Sequence, residues 1–264
     1  MENVKISKVV MIGAGNLAFH LSQAVKRAGM EVVQVYSRTE ESACLLGNLL
    51  GCSYTTDNKG ISREGDLYIL SLTDEAIVDF SNKLDFSGKI VVHTSGGLDM
   101  DVLKGVTRYY GVVYPVQTFS KEKEVDFMKI PLCIEAVNES VKNVLFDFAG
   151  EFSPELYSLD TPRRRKLHVA AVFACNFVNH MYFIASEILK SENLPFDLLR
   201  PLILETANKM NELSPFAAQT GPAKRNDQLV IKKHLDLLSF SPEFREIYRE
   251  LTGSIRNMQE KKNN

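Results

Sequence analysis

Lys8-Val9-Val10-Met11-Ile12-Gly13-Ala14-Gly15-Asn16-Leu17-Ala18 runs from an apolar quartet straight into a glycine turn. Four apolar residues between a lysine and a glycine have the pattern of a buried parallel strand, and Gly-x-Gly-x-x-Ala after such a strand opens a helix. The first glycine permits the tight turn, the second lets backbone approach a phosphate, and a small residue at Ala18 lets helix and strand pack closely. The helix's N-terminal amides then face an anion. Downstream, Leu17, Leu21, Ala24, Val25 and Ala28 share one helical face, and Gly29 ends the helix. The stretch predicts a strand, a dinucleotide-binding turn and a helix, with Gly13, Ala14, Gly15, Asn16 and Leu17 around the pyrophosphate. The competing account is a plain strand-turn-helix whose glycines serve packing.

Glu31 to Thr39 has the pattern of a second strand, and its end is where a dinucleotide site meets the adenosine ribose. Sites for NAD place a carboxylate there, roughly 20 residues past the glycines. This chain instead has Ser37-Arg38-Thr39, two hydroxyls around a guanidinium, which suits a 2′-phosphate by charge and fork geometry. NADP is therefore the expected cofactor, with Ser37, Arg38 and Thr39 at its phosphate. Asp66 to Thr73 and Lys89 to His93 continue the strand pattern. Ligands of open parallel sheets lie outside the strands' carboxyl ends, which puts Leu72 and Thr73 near the cofactor and Thr94 and Ser95 beside the nicotinamide.

Arg108 to Val113, Pro131 to Val137 and a helix to Gly150 complete a doubly wound parallel α/β domain over residues 1–158. Near residue 160 the composition shifts: Asp160-Thr161-Pro162 has the form of a helix start, and helical periodicity runs to the end, making 159–264 an all-helical domain. A long helix is expected over Arg163–Leu189, another over Leu194–Leu213, a third from Asp227, and a last one from Ser241-Pro242-Glu243. On the first of these, His168, Val172, Cys175 and Asn179 share a face, and Asn176 is turned about 80° away at ~100° per residue. His168 and Asn176 are the candidate catalytic residues: an imidazole could hand a proton to a carbonyl or imine, and an amide could orient it. A helical histidine is equally the pattern of a hydrogen-bonded core residue. Thr220 to Asp227 is a second polar cluster, able to bind an anion through Lys224 and Arg225 or to cap the next helix through Asp227.

The bulk numbers narrow the function classes. Lysine plus arginine total 31 against 33 acidic residues, a net charge of −2, so no basic surplus recommends a nucleic-acid partner. No apolar run reaches the ~18 residues of a membrane span, and no signal-peptide pattern opens the chain; a cytoplasmic protein with no membrane partner is expected. Cys44, Cys52, Cys133 and Cys175 lack Cys-x-x-Cys spacing, so buried thiols are expected and no metal.

The layout resembles the reductases related to pyrroline-5-carboxylate reductase and the 6-phosphogluconate and hydroxyacid dehydrogenases. More closely, Gly13 to Ala18, Ser37-Arg38-Thr39, His93-Thr94-Ser95-Gly96, Tyr114 to Ser120, Leu167 to Phe177 and Gly221 to Asp227 resemble the Rossmann-like NADP oxidoreductases whose second half is a domain of unknown function. The resemblance implies a Rossmann domain followed by a helical domain like the 6-phosphogluconate dehydrogenase C-terminal one, and a homodimer through it. Three departures stand out. Tyr114-Pro115 occupies a place where relatives commonly carry His-Pro. Asn226 stands where glycine is usual. The Lys-x-x-x-Asn pair of hydroxyacid dehydrogenases is absent, since Ala170 follows Lys166 by four positions. Two functions follow as expectations: an NADP(H)-dependent reductase of a small carbonyl or imine compound, or a non-catalytic NADP(H)-binding redox or nucleotide sensor. A methyltransferase fits less well, because S-adenosylmethionine sites also want an acid at the end of the second strand.

Overall fold

A computed structural model describes residues 4–83 and 85–263. The chain forms two compact units, one up to Asn176 and one from Phe177 onward. The first is built on an eight-stranded sheet in the order β3-β2-β1-β4-β5-β6-β7-β8. These strands are β1 Lys8–Ile12, β2 Glu31–Tyr36, β3 Ser53–Thr55, β4 Leu67–Leu70, β5 Ile90–His93, β6 Tyr109–Pro115, β7 Leu132–Ala136 and β8 Leu156–Ser158. Strand β1 pairs in parallel with both β2 and β4, so the order reverses beside it, the switch point outside which open α/β sheets bind ligands. Apolar residues on both faces of β1 and β4 are buried, as a covered parallel sheet requires.

Helices α1 Asn16–Arg27, α2 Glu40–Leu50, α3 Asp74–Ser81 and α4 Glu139–Gly150 cover the sheet. Ala18, Leu21, Ala24 and Val25 of α1 are buried against it, and Gly29 ends the helix with φ of 85°. The side chains of Thr73 and Asn138 cap α3 and α4 by accepting the backbone N–H groups of Ala76 and Val141.

The sheet departs from an all-parallel winding on one side. Strand β7 runs antiparallel to β6, pairing Val113 with Ile134 and Tyr114 with Cys133. The segment joining them carries a short 3-10 turn at Phe127–Lys129 in place of the crossover helix that a parallel strand needs. A 3-10 turn at Met100–Leu103 likewise replaces a helix between β5 and β6.

Past the composition shift near residue 160, α5 spans Thr161–Ala171 and packs within the first unit. Asp160 caps it through the Arg163 N–H, with a proline in its first turn. The expected uninterrupted helix over Arg163–Leu189 is corrected by a π-helical segment, Val172–Phe177, before α6, Val178–Ser191. Together they form one helix, Thr161–Ser191, whose most apolar 18-residue window has a mean hydropathy of 1.4, long and apolar enough to cross a membrane. The expectation that no stretch reaches that threshold counted uninterrupted apolar residues, which Asn176, Asn179 and His180 break up.

The second unit holds α6, α7 Arg200–Asn208, α8 Pro215–Ala218, α9 Gln228–Leu237 and α10 Pro242–Asn263. The helix expected over Leu194–Leu213 is shorter, because 3-10 turns at Phe196–Leu199 and Lys209–Asn211 flank α7. Asp227 caps α9 by accepting the Val230 N–H. Asn226 adopts φ of 54°, the left-handed conformation that glycine favours and asparagine tolerates.

Candidate active site

The two glycines of the first turn do different work. Gly13 has φ of 120°, and a Cβ there would lie 2.1 Å from the Ser71 carbonyl oxygen and 3.2 Å from Leu72 Cδ2. Its N–H donates to the Tyr36 carbonyl at 2.8 Å, so Gly13 lets β1 turn between β2 and β4. A Cβ at Gly15 would meet nothing within 4 Å. Gly15 is the N-cap of α1, no side chain caps that end, and the first turn carries no acid. Open space before uncapped helical N–H groups fits an anionic pyrophosphate. Ala14 is buried and Leu17 half-buried beside the turn. The Asn16 side chain is committed elsewhere: its amide donates to the Phe119 carbonyl at 2.9 Å. One turn on, His20 Nε2 meets the Ser120 carbonyl at 2.8 Å, so α1 is tied to the segment after β6.

At the end of β2, Ser37 donates its N–H to the Thr55 carbonyl at 3.2 Å. Arg38 and Thr39 are exposed, and Arg38 forms no ion pair among the described residues. Burial pushes the Tyr36 phenol up from its ordinary pKa, and the Arg38 guanidinium opposes the shift. Leu72 is half-buried against Gly13, and the Thr73 hydroxyl caps α3.

The turn after β5 is built from inside. Ser95 Oγ accepts the N–H groups of Gly97 at 3.1 Å and Leu98 at 2.9 Å, and Ser95 donates its own N–H to His93 Nδ1 at 3.1 Å. Thr94 is buried, its N–H on the Leu70 carbonyl. Since His93 Nδ1 accepts, Nε2 holds the ring proton and faces the Asp99 carbonyl at 3.3 Å. Burial, then the nearby Arg164 charge, brings the His93 pKa down to about 4. His93 is a neutral brace of the turn.

Helix α5 is clamped to this turn by residues that sequence inspection passed over. Arg164 is fully buried. Its guanidinium donates to Glu135 Oε2 at 2.8 Å, to the Ser95 and Leu98 carbonyls at 2.8 Å each, and to Thr161 Oγ1 at 3.1 Å. Glu135 Oε1 also accepts the Thr161 N–H at 2.7 Å. Arg165 adds a bond from Nε to the Gly97 carbonyl at 2.7 Å. The available signal was a carboxylate inside the apolar strand Leu132-Cys133-Ile134-Glu135, matched by the arginines just after a capped helix start. One turn beyond Arg164, the His168 ring lies on Gly96, where a Cβ would come within 2.5 Å of His168 Nδ1. The Tyr114 hydroxyl is 3.1 Å from that same nitrogen.

His168 and Tyr114 line a cavity of about 550 Å³ together with Gln117, Cys175 and Asn176. Asn176 lies within the π segment Val172–Phe177, eight residues past His168, and both residues line the cavity. Among the described residues no cluster could hold a metal ion. The other histidines are engaged elsewhere: His180 stacks on Phe183, and His234 Nδ1 meets the Tyr248 hydroxyl at 2.8 Å.

Residues 8–97 match the family model described as NADP oxidoreductase, coenzyme F420-dependent, and residues 130–255 match the domain of unknown function DUF2520. The crystal structure of putative NADP oxidoreductase BF3122 from Bacteroides fragilis is 46% identical, covering 96% of this chain and 98% of that one, with a TM-score of 0.91. The chain belongs to this family of NADP oxidoreductases. The oxidoreductase also shares its fold with 1-pyrroline-5-carboxylate reductase from Streptococcus pyogenes, at 12% identity, 95% and 98% coverage and a TM-score of 0.65. An imine reductase from Myxococcus stipitatus in complex with NADP+ aligns at 14% identity, 96% and 93% coverage and a TM-score of 0.63. A search of curated proteins found no match.

Proposed function

We propose that this oxidoreductase is an NADPH-dependent reductase of a small carbonyl or imine compound. The observation that carries the proposal is the cavity in which His168, backed by Tyr114 and Gly96, stands with Asn176 at the carboxyl-end turn of the sheet. Gly13, Ala14, Gly15 and Leu17, with the Asn16 backbone, form the pyrophosphate cradle. Ser37, Arg38 and Thr39 take the 2′-phosphate. Leu72, Thr73, Thr94 and Ser95 border the nicotinamide; the Ser95 oxygen accepts two N–H groups, and its hydroxyl proton has no acceptor among the described residues. NADPH, when bound, supplies the hydride. His168 donates a hydrogen bond, then its Nε2 proton, to the substrate's carbonyl oxygen or imine nitrogen as the hydride arrives. A proton from the Tyr114 hydroxyl enters at Nδ1, so that the imidazole stays neutral and the phenol is reprotonated from solvent; Asn176 orients the substrate group.

In this proposal residues 1–158 bind the coenzyme, while 159–264 supply His168 and form a homodimer. Support for the dimer is the exposed apolar surface of the helical unit, with Leu198, Leu202, Leu204, Leu229 and Leu237 each more than 60% exposed. All four cysteines are free, which suits a cytoplasmic location.

The test is NADPH oxidation with a panel of keto acids, cyclic imines and aldehydes, using His168→Ala as control. Turnover that survives His168→Ala unchanged removes the proton-donor role. For the coenzyme, a charge-assisted hydrogen bond contributes about 1.5–3 kcal/mol. Arg38→Glu should therefore weaken NADPH binding by roughly tenfold or more in a fluorescence titration and leave NADH binding nearly unchanged. Equal affinity of the native protein for the two nucleotides refutes the Arg38 assignment.

A further inference from the structure

A buried hydroxyl has to give its proton to an acceptor, and here that requirement bears on which nitrogen of His168 carries the ring proton. Tyr114 is only 9% exposed, and its hydroxyl has no hydrogen-bond partner besides His168 Nδ1 among the described residues. Burial, above all, pushes the phenol up from its ordinary pKa, so it keeps its proton in neutral solution. With one protein acceptor in reach among the described residues, the O–H is satisfied within the fold by donation to Nδ1. The ring is also held from below and from the side: Gly96 leaves room for it, and the Tyr114 ring meets it edge-on at 5.8 Å and 81°. His168 Nε2 has no partner among the described residues, and the ring forms part of the cavity wall.

We infer that Tyr114 is the positioning residue of this site: its hydroxyl holds neutral His168 as the Nε2–H tautomer, so that the imidazole presents a donor to the substrate. An imidazole held this way selects a neutral hydrogen-bond acceptor, a carbonyl oxygen or an unprotonated imine nitrogen. It does not recognise an iminium cation, which already carries its proton and offers no lone pair to Nε2–H. This consequence for the substrate rests on the reductase reading above; the tautomer assignment does not.

The tautomer is read directly from the full-length protein labelled with 15N-histidine. Long-range proton–nitrogen spectra in mildly alkaline solution distinguish a pyridine-type from a pyrrole-type ring nitrogen, and His168→Gln identifies the His168 signals among those of the five histidines. In the native protein Nδ1 should be pyridine-type and Nε2 pyrrole-type. Tyr114→Phe keeps the ring and removes the hydroxyl, and should move Nδ1 further toward the frequency of an unbonded pyridine-type nitrogen while Nε2 stays in place. A pyrrole-type Nδ1 in the native protein overturns the assignment, as does an Nδ1 that Tyr114→Phe does not move. If the variant fails to fold, the native spectrum decides alone. A chain with the expected spectrum that oxidises NADPH with no carbonyl or imine would sink the reductase reading and leave the tautomer standing.

Discussion

Replacing Arg164 with methionine tests whether the clamp beneath the candidate site holds α5 in place. The guanidinium is fully buried and pairs with Glu135 at 2.8 Å, the carboxylate side chain being 9% exposed. Removing one partner of such a pair leaves an uncompensated buried charge, at a cost of roughly 3–5 kcal/mol. Thr161 still donates to Glu135 through its N–H and hydroxyl, which moves the expected loss toward the lower end. The Ser95 and Leu98 carbonyls each lose a donor, which moves it back up. A loss of about 4 kcal/mol is a large share of the ~5–15 kcal/mol that holds a domain folded. With a urea slope near 2 kcal/mol per molar, it lowers the unfolding midpoint of this unit by about 2 M. Because the chain has two compact units, the readout should be local: hydrogen exchange of peptides covering β7 and α5 across a urea series. Arg164→Met with Glu135→Leu removes both charges and should recover most of the loss, since replacing a whole buried pair by apolar groups is often neutral. A single variant within about 1 kcal/mol of native, or a double variant no better than the single, refutes the reasoning.

Gly13→Ala should fail to fold stably, because its Cβ would sit 2.1 Å from the Ser71 oxygen at a φ of 120°. Gly15→Ala should unfold like the native protein and lose NADPH binding, which calorimetry and titration together would show; a Gly15→Ala that binds normally takes the pyrophosphate away from this turn. His93 makes stability fall with acid: its folded pKa is about 4 against 6.5 unfolded, so between these values the unfolded chain binds a proton that the native state refuses. The slope from this one group is about 1.4 kcal/mol per pH unit and vanishes above its unfolded pKa. Urea midpoints across that window should show it in the native protein and not in His93→Gln. Light scattering should return twice the chain mass of 29.7 kDa, and Leu202→Glu with Leu204→Glu should return the single-chain mass; a monomeric native protein contradicts the dimer.

Local chemistry was legible wherever a few neighbouring residues decide the outcome. The apolar quartet and glycine turn, the stop at Gly29, and the caps at Asp160 and Asp227 depend on backbone sterics and hydrogen bonds within a turn or two, and each stands where the pattern puts it. The antiparallel course of β7 was hidden, because apolar strands read alike in either direction and only the missing crossover helix distinguishes them. The π segment was hidden as well, because Val172 to Phe177 satisfies ordinary helical periodicity.

The amino-acid order by itself determined the glycine turn after β1, the arginine at the end of β2 and the change from strand to helix near residue 160, since these are written in contiguous residues. Only the tertiary structure decided that Glu135 neutralises Arg164, that Gly96 seats the His168 ring and that Tyr114, 54 positions away, bonds to its Nδ1. Such pairings join residues from separate strands and helices, and their energies come from burial, a quantity that exists only once the chain has packed.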